Sequence, residues 1–136
     1  MTDVSVSPTQ KKLRILIVED HGPTRIAMSR LIRQAGAEVT TARDGEEGLS
    51  LLLTQYFDVL LTDLRMPVMD GFEFLVNLRQ LPGGDATKVV FCTTENGIDH
   101  ISKALHAGAN EYIMKPFDKD IVAAKFQEIG LIAAPV

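Results

Sequence analysis

The apolar residues of this chain follow two rhythms that take turns. Leu13 to Val18 is an almost unbroken aliphatic run, and Val59-Leu60-Leu61 and Val89 to Cys92 are others. Short runs of this kind suit strands buried on both faces of a parallel sheet. Between them the spacing becomes helical. After His21-Gly22-Pro23, with Pro23 suited to a first helical turn, Met28, Leu31, Ile32 and Ala35 recur on one face until Gly36 stops the helix. Glu38 to Thr41 reads as a second strand. Asp44 and Glu47 form a capping-box-like pair ahead of an apolar stripe of Leu49, Leu52, Leu53 and Tyr56.

The alternation continues to the end of the chain. The third strand spans about Asp58 to Thr62, and Asp70 and Glu73 repeat the capping pattern before Phe72, Leu75 and Leu78. That helix runs to Pro82-Gly83-Gly84. A fourth strand, Lys88 to Cys92, delivers Thr93-Thr94-Glu95 to its end. Ile98, Ile101 and Leu105 give a helical face ended by Gly108. Glu111 to Met114 is a fifth strand, and Asp118 caps a last helix carrying Ile121, Val122, Phe126 and Ile129. Five strand–helix pairs without an internal linker predict one α/β domain, a five-stranded parallel sheet covered by helices on both faces. Met1 to Gln10 is polar and contains Pro8; residues 1–12 are expected to be a disordered lead-in, 13–130 the folded domain and 131–136 a loose tail.

Composition narrows the classes rather than changing the fold. At 136 residues, 46% hydrophobic and 24% charged, the chain has the makeup of a single globular domain. A net charge of −4 with scattered basic residues argues against a nucleic-acid surface. The single Cys92 excludes an intrachain disulfide and reads as a buried apolar residue of the fourth strand. No apolar stretch approaches the roughly 20 residues that cross a bilayer, and the start lacks the order of a secretory signal. The expectation is a cytoplasmic monomer.

Chemistry enters at the strand ends. All ends of a parallel sheet's strands lie on one edge, so Glu19 and Asp20 after the first strand, Asp63 after the third, Thr93 after the fourth and Lys115 after the fifth converge there. Singly, these residues fit turns, caps and surface charges. Together, three carboxylates would raise one another's pKa unless a cation intervenes, and hard oxygen ligands suit Mg²⁺. A cation site beside a carboxylate, a hydroxyl and a lysine is built to receive a phosphoryl group, with Asp63 as nucleophile.

The motifs Ile-Leu-Ile-Val-Glu-Asp at 15–20, Leu-Leu-Thr-Asp-Leu-Arg-Met-Pro-Val-Met-Asp-Gly at 60–71, Thr93, and Tyr-Ile-Met-Lys-Pro-Phe at 112–117 resemble those of response-regulator receiver domains. The C-terminal half is similar to single-domain chemotaxis receivers of the CheY type. The resemblance covers about Leu13 to Ile129 and implies a flavodoxin-like, doubly wound sheet. It implies Asp63 as phosphoacceptor, Asp20 as a direct ligand of Mg²⁺ (or Mn²⁺), Glu19 as a ligand through water, and the backbone carbonyl of Arg65 as another. Lys115 would pair with the carboxylate and later with the phosphoryl group. Thr93 would move toward the phosphate, and Tyr112 would swing from exposed to buried, reshaping the surface of the fourth helix, fifth strand and fifth helix. The implied partners are a histidine kinase of the CheA type and a flagellar motor switch protein or another output protein. No output domain is expected to follow, so output is expected through a partner, and with self-directed phosphoryl chemistry the chain is not expected to be an enzyme in the ordinary sense.

A role as phosphate sink, relay intermediate or adaptor stays within the family. A haloacid-dehalogenase-like phosphohydrolase would place a second acid two residues after the nucleophile, where this chain has Arg65. A flavin carrier would want a Ser/Thr/Gly-rich loop after the first strand, where Glu19-Asp20-His21-Gly22-Pro23 stands instead. Arg65 and Glu95 flank the path of a hydrolytic water, and Thr94 adds bulk where many relatives carry alanine or glycine. These three residues are expected to tune the phosphoryl lifetime. Arg65→Ala and Thr94→Ala should therefore change the dephosphorylation rate, and unchanged decay in both variants counts against the idea.

Overall fold

The strands are β1 (Arg14–Val18), β2 (Glu38–Ala42), β3 (Val59–Thr62), β4 (Lys88–Thr93) and β5 (Glu111–Met114). They alternate with α1 (Gly22–Gln34), α2 (Gly45–Thr54), α3 (Gly71–Gln80), α4 (Ile98–His106) and α5 (Lys119–Glu128). The computed structural model describes residues 12–63, 69–93, 98–115 and 117–128; the side chains of 93 and 98–101 fall outside that description. Arg65, Thr94 and Glu95, residues 1–11 of the lead-in expected over 1–12, Ile129 and the tail expected over 131–136 lie outside it too. Every strand pairing is parallel, in the order β2-β1-β3-β4-β5.

Side-chain alternation along the strands divides the interior into two cores. Ile15, Ile17, Val59, Leu61, Val90, Cys92 and Ile113 face Met28 and Ile32 of α1 and Val122 and Phe126 of α5. Leu16, Val18, Leu60, Val89 and Phe91 face Phe74, Leu75 and Leu78 of α3 and Ala104 of α4. Burial on both faces explains why the strands read as continuous apolar runs. The expected caps are present: Asp44, Asp70 and Asp118 accept from the amides of Glu47, Glu73 and Ile121 at 2.9, 2.8 and 2.9 Å. Gly36 and Gly108 take φ of +102° and +108° just beyond α1 and α4, the left-handed backbone that ends a helix.

The apolar stripe expected on α2 is partly wrong. Leu53 is 67% and Tyr56 51% exposed, while Gly45 and Gly48 are the buried residues of this helix. A Cβ at Gly48 would lie 2.8 Å from Cζ of Phe74 and 3.0 Å from Cγ2 of Val18. The helix sits so close to its neighbours that glycine backbone replaces side chains as the contact, which rotates the larger residues outward. Leu105 and Ile121 likewise face solvent, and Ala104 and Val122 take the buried positions beside them.

At the sheet edge where the strands begin, one guanidinium ties three segments together. Arg79, near the end of α3, donates to the carbonyls of Gly84 at 2.7 Å, Thr87 at 2.8 Å and Gly108 at 2.9 Å. It also reaches Oδ1 of Asn110 at 3.2 Å, an oxygen that accepts from the Val89 amide at 2.8 Å. Lysine has no planar fork with which to repeat this pattern. Arg79→Ala should lower unfolding free energy by about 2–3 kcal/mol, and Arg79→Lys should recover little of it, in denaturant titrations. Cys92 is fully buried and desolvation pushes its thiol up to about 12. Its raised value means a stability contribution held below the ordinary value of 9.0 and lost as pH rises toward 12. The native protein should resist thiol reagents at pH 8, reacting only through unfolding, and should lose stability above pH 9 less steeply when Cys92 is replaced by Ala.

Candidate functional site

The strand order reverses at β1, whose neighbours β2 and β3 leave in opposite directions, so a crevice opens beyond the carboxyl ends of β1 and β3. Register fixes what stands there. Val18 pairs with Thr62, so the following residues, Glu19 and Asp63, emerge side by side. Thr93, the last residue of β4, pairs with Met114, which brings Lys115 alongside. The edge is held by backbone bonds from the Asp63 amide to the Val18 carbonyl at 3.3 Å and from the Glu19 amide to the Ala42 carbonyl at 3.1 Å.

Glu19, Asp20 and Asp63 each place a carboxylate oxygen within 4.8 Å of the others. Their exposures differ: Glu19 is buried, Asp63 half-buried and Asp20 exposed. This gradient gives a crevice with Glu19 at its floor and Asp20 at its open mouth. Lys115 closes one side, with Nζ 3.0 Å from Oδ2 of Asp63 and in a short ion pair with Oε1 of Glu19. Oε2 of Glu19 accepts from the His21 amide at 3.2 Å. Burial raises the Glu19 carboxyl above the ordinary 4.5, against the opposing pull of Lys115. Burial would lower Lys115, but its bonds to Glu19 and Asp63 outweigh it and carry the ammonium above 10.5.

The expected residues are thus brought together wherever the structure describes them. One detail differs: Lys115 grips Glu19 as well as Asp63, so Glu19 is paired directly with the ammonium. The backbone of Thr93 is in place at the end of β4. Tyr112 is half-buried, packed beside the α3–α4 core, with Nζ of Lys125 4.8 Å above its ring. That Lys125 also lies 3.4 Å from Glu111, so a movement of Tyr112 disturbs a small charged cluster between β5 and α5. Two contributors went unread in the sequence. His21 caps α1, its ring accepting from the Thr24 amide at 3.3 Å. Arg25 donates to the Glu19 carbonyl at 2.8 Å; its place in the first turn of α1, six residues after Glu19, was the available signal. Pro23, Thr24, Ala27, Met28, Leu31 and Phe117 line a mainly apolar groove of about 510 Å³ next to Lys115.

Three carboxylate oxygens within 4.8 Å of one another are of the hard, anionic type that suits a small divalent cation such as Mg²⁺, which keeps several of its waters. Among the described residues, no helix is long and apolar enough to cross a membrane.

Comparison with known proteins agrees with this geometry. Residues 15–127 match the model of the response regulator receiver domain. An uncharacterised 14.6 kDa protein of Leptolyngbya boryana is 36% identical over 110 residues, covering 81% of this chain and 84% of that protein. The transcriptional regulatory protein DltR of Streptococcus agalactiae is 32% identical over 85% of this chain, which spans 50% of the longer protein. The structure of the chemotaxis protein CheY4 of Vibrio cholerae superposes with a TM-score of 0.82 at 32% identity, covering 88% of this chain and 99% of that one.

Glu19, with its raised pKa, costs stability as pH rises above 4.5, because the folded state holds the proton more tightly than the unfolded chain. In EDTA, Glu19→Gln should remove that part of the decline between pH 4.5 and 7, as measured by denaturant unfolding at each pH. Lys115→Met leaves the two carboxylates facing each other and should cost about 3 kcal/mol at pH 7. Millimolar Mg²⁺ should return part of that loss.

Proposed function

The chain belongs to the response regulator receiver domain family, and from that premise we propose that it is a phosphoryl-accepting switch whose acceptor is Asp63. The observation that carries the reading is the convergence of Glu19, Asp20 and Asp63 on Lys115 at the crevice of the sheet. An oxygen of Asp63 attacks the phosphorus of a histidine kinase's phosphohistidine. As the O–P bond forms, the P–N bond breaks and its electron pair leaves with the imidazole. Hydrolysis later puts a water oxygen on phosphorus, and inorganic phosphate departs from the regenerated carboxylate.

The residues have separate tasks. Asp20, Asp63, Glu19 through water and the backbone carbonyl of Arg65 would hold Mg²⁺ or Mn²⁺, which when bound neutralises the phosphoryl oxygens. Lys115 already touches Asp63 and follows the phosphoryl group once it is attached. Thr93 donates to a phosphoryl oxygen, and Tyr112 moves inward with it. Lys125 above the half-buried Tyr112 ring holds the resting arrangement weakly, since a cation–π contact is worth roughly 0.5–2 kcal/mol. A few charge-assisted hydrogen bonds to phosphate are enough to shift such an equilibrium. The groove beside Lys115 offers the histidine-bearing surface of the kinase an apolar seat.

The output is binding of a partner at the face of α4, β5 and α5, by a monomer in the cytoplasm. We favour chemotaxis, with a CheA-type kinase upstream and a flagellar motor switch protein downstream. The likeness to the Vibrio chemotaxis protein, covering 99% of that chain, supports it. The likeness to a transcriptional regulator supports a second reading, in which the chain is a phosphate sink, relay intermediate or adaptor of another two-component pathway. Phosphotransfer from a panel of histidine kinases should label the wild type in Mg²⁺ and not in EDTA, and Asp63→Asn should abolish the label. The labelled protein should then retain a motor switch protein in pull-down. Efficient labelling without that retention selects the second reading, and a label that survives Asp63→Asn overturns the assignment of the acceptor.

A further inference from the structure

We propose that the cavity between α1 and β2, distinct from the acidic crevice but reaching it through Arg25, is a binding site for an oxyanion of the phosphate class. It has a volume of about 210 Å³ and is lined by Arg25, Ile26, Ser29, Arg30, Arg33 and Thr41. The protein as a whole carries a net charge of −4, yet α1 contributes three arginines and not one acidic residue. Among the described residues, no carboxylate forms an ion pair with any of the three.

Two of the three guanidiniums are anchored on backbone carbonyls. Arg25 is anchored on the Glu19 carbonyl at 2.8 Å, and Arg33 on the Val39 carbonyl at 3.3 Å. A guanidinium has five N–H donors, so each anchored fork keeps most of them for a ligand. Arg30 stands between them along the helix and is exposed. On the sheet side Thr41 shares its face with Val39, which packs toward α1.

Ser29 is the independent sign. It is only 5% exposed, and its Oγ has no hydrogen-bond partner within the described protein. Mid-helix serines ordinarily turn the hydroxyl back onto the preceding turn, and a buried hydroxyl left unbonded is costly. A turn about χ1 brings the hydroxyl to the cavity, where a ligand oxygen satisfies it. Planar guanidinium forks match phosphate oxygens two N–H groups at a time, which favours phosphate over a spherical anion. The cavity admits inorganic phosphate or pyrophosphate, or the phosphate end of an ester whose organic part passes over the exposed Ile26.

The test is an amide-resolved NMR titration of the full chain in EDTA, with inorganic pyrophosphate and with glycerol 3-phosphate in separate arms. Saturable shifts should centre on Ser29, Arg30 and Thr41, and the tighter arm identifies the source as inorganic or ester phosphate. Arg30→Ala and Arg33→Ala, both at exposed positions, should each weaken binding about tenfold. Ser29→Ala should weaken binding while raising the melting temperature of the unliganded protein; a purely structural serine would lower it. The proposal is overturned by the absence of saturable shifts in both arms, by shifts that persist in Arg30→Ala/Arg33→Ala, or by shifts centred on Glu19, Asp20 and Asp63.

Discussion

One ammonium group holds the chemistry of this protein in place. Lys115 stands against Glu19 and Asp63, two carboxylates that neighbouring strands deliver to the same crevice whether or not they repel each other. Remove it and the sheet topology still forces the acids together, without the ammonium that pairs with both. Its own position depends on register: Thr93 pairs with Met114, so the fifth strand ends at the depth that puts the next side chain between the carboxylates. The strand order, the matched strand ends and the turn after β5 can all be understood as conditions for that placement.

The same arrangement explains why the site is poised rather than relaxed. Glu19 is buried at the floor while carrying a charge that burial disfavours, and Asp20 stays exposed at the mouth. A group that adds positive charge at the mouth, or an acyl phosphate that alters the charge on Asp63, shifts this balance at once. Little of the surrounding fold has to change first. Clustered, partly buried carboxylates of this kind are a liability to stability that the two apolar cores offset.

Most of this was legible in the sequence because parallel strands buried on both faces leave a coarse signal. Runs such as Ile15 to Val18 announce the strands, and Asp44, Asp70 and Asp118 announce the helix starts. Once the strands are known to be parallel, their end residues must meet, and Glu19, Asp63 and Lys115 follow from topology alone. What could not be read depends on distances that no periodicity records. Gly48 brings α2 so near to Phe74 and Val18 that the expected stripe turns outward, leaving Leu53 and Tyr56 in solvent. The double grip of Lys115 and the bond from Arg25 to the Glu19 carbonyl are likewise matters of side-chain reach, which spacing does not encode.

The Arg79 clamp gives the domain a mechanical polarity. Two loops at the end of the sheet far from the acidic crevice, α3–β4 and α4–β5, are stitched to one side chain of α3, like the spine of a book. Rearrangement at the open end need not propagate down the strands to be felt elsewhere. It can pass sideways, from one strand end to the next, while the Arg79 end stays tied. A rigid spine therefore makes a short lateral route for the signal possible.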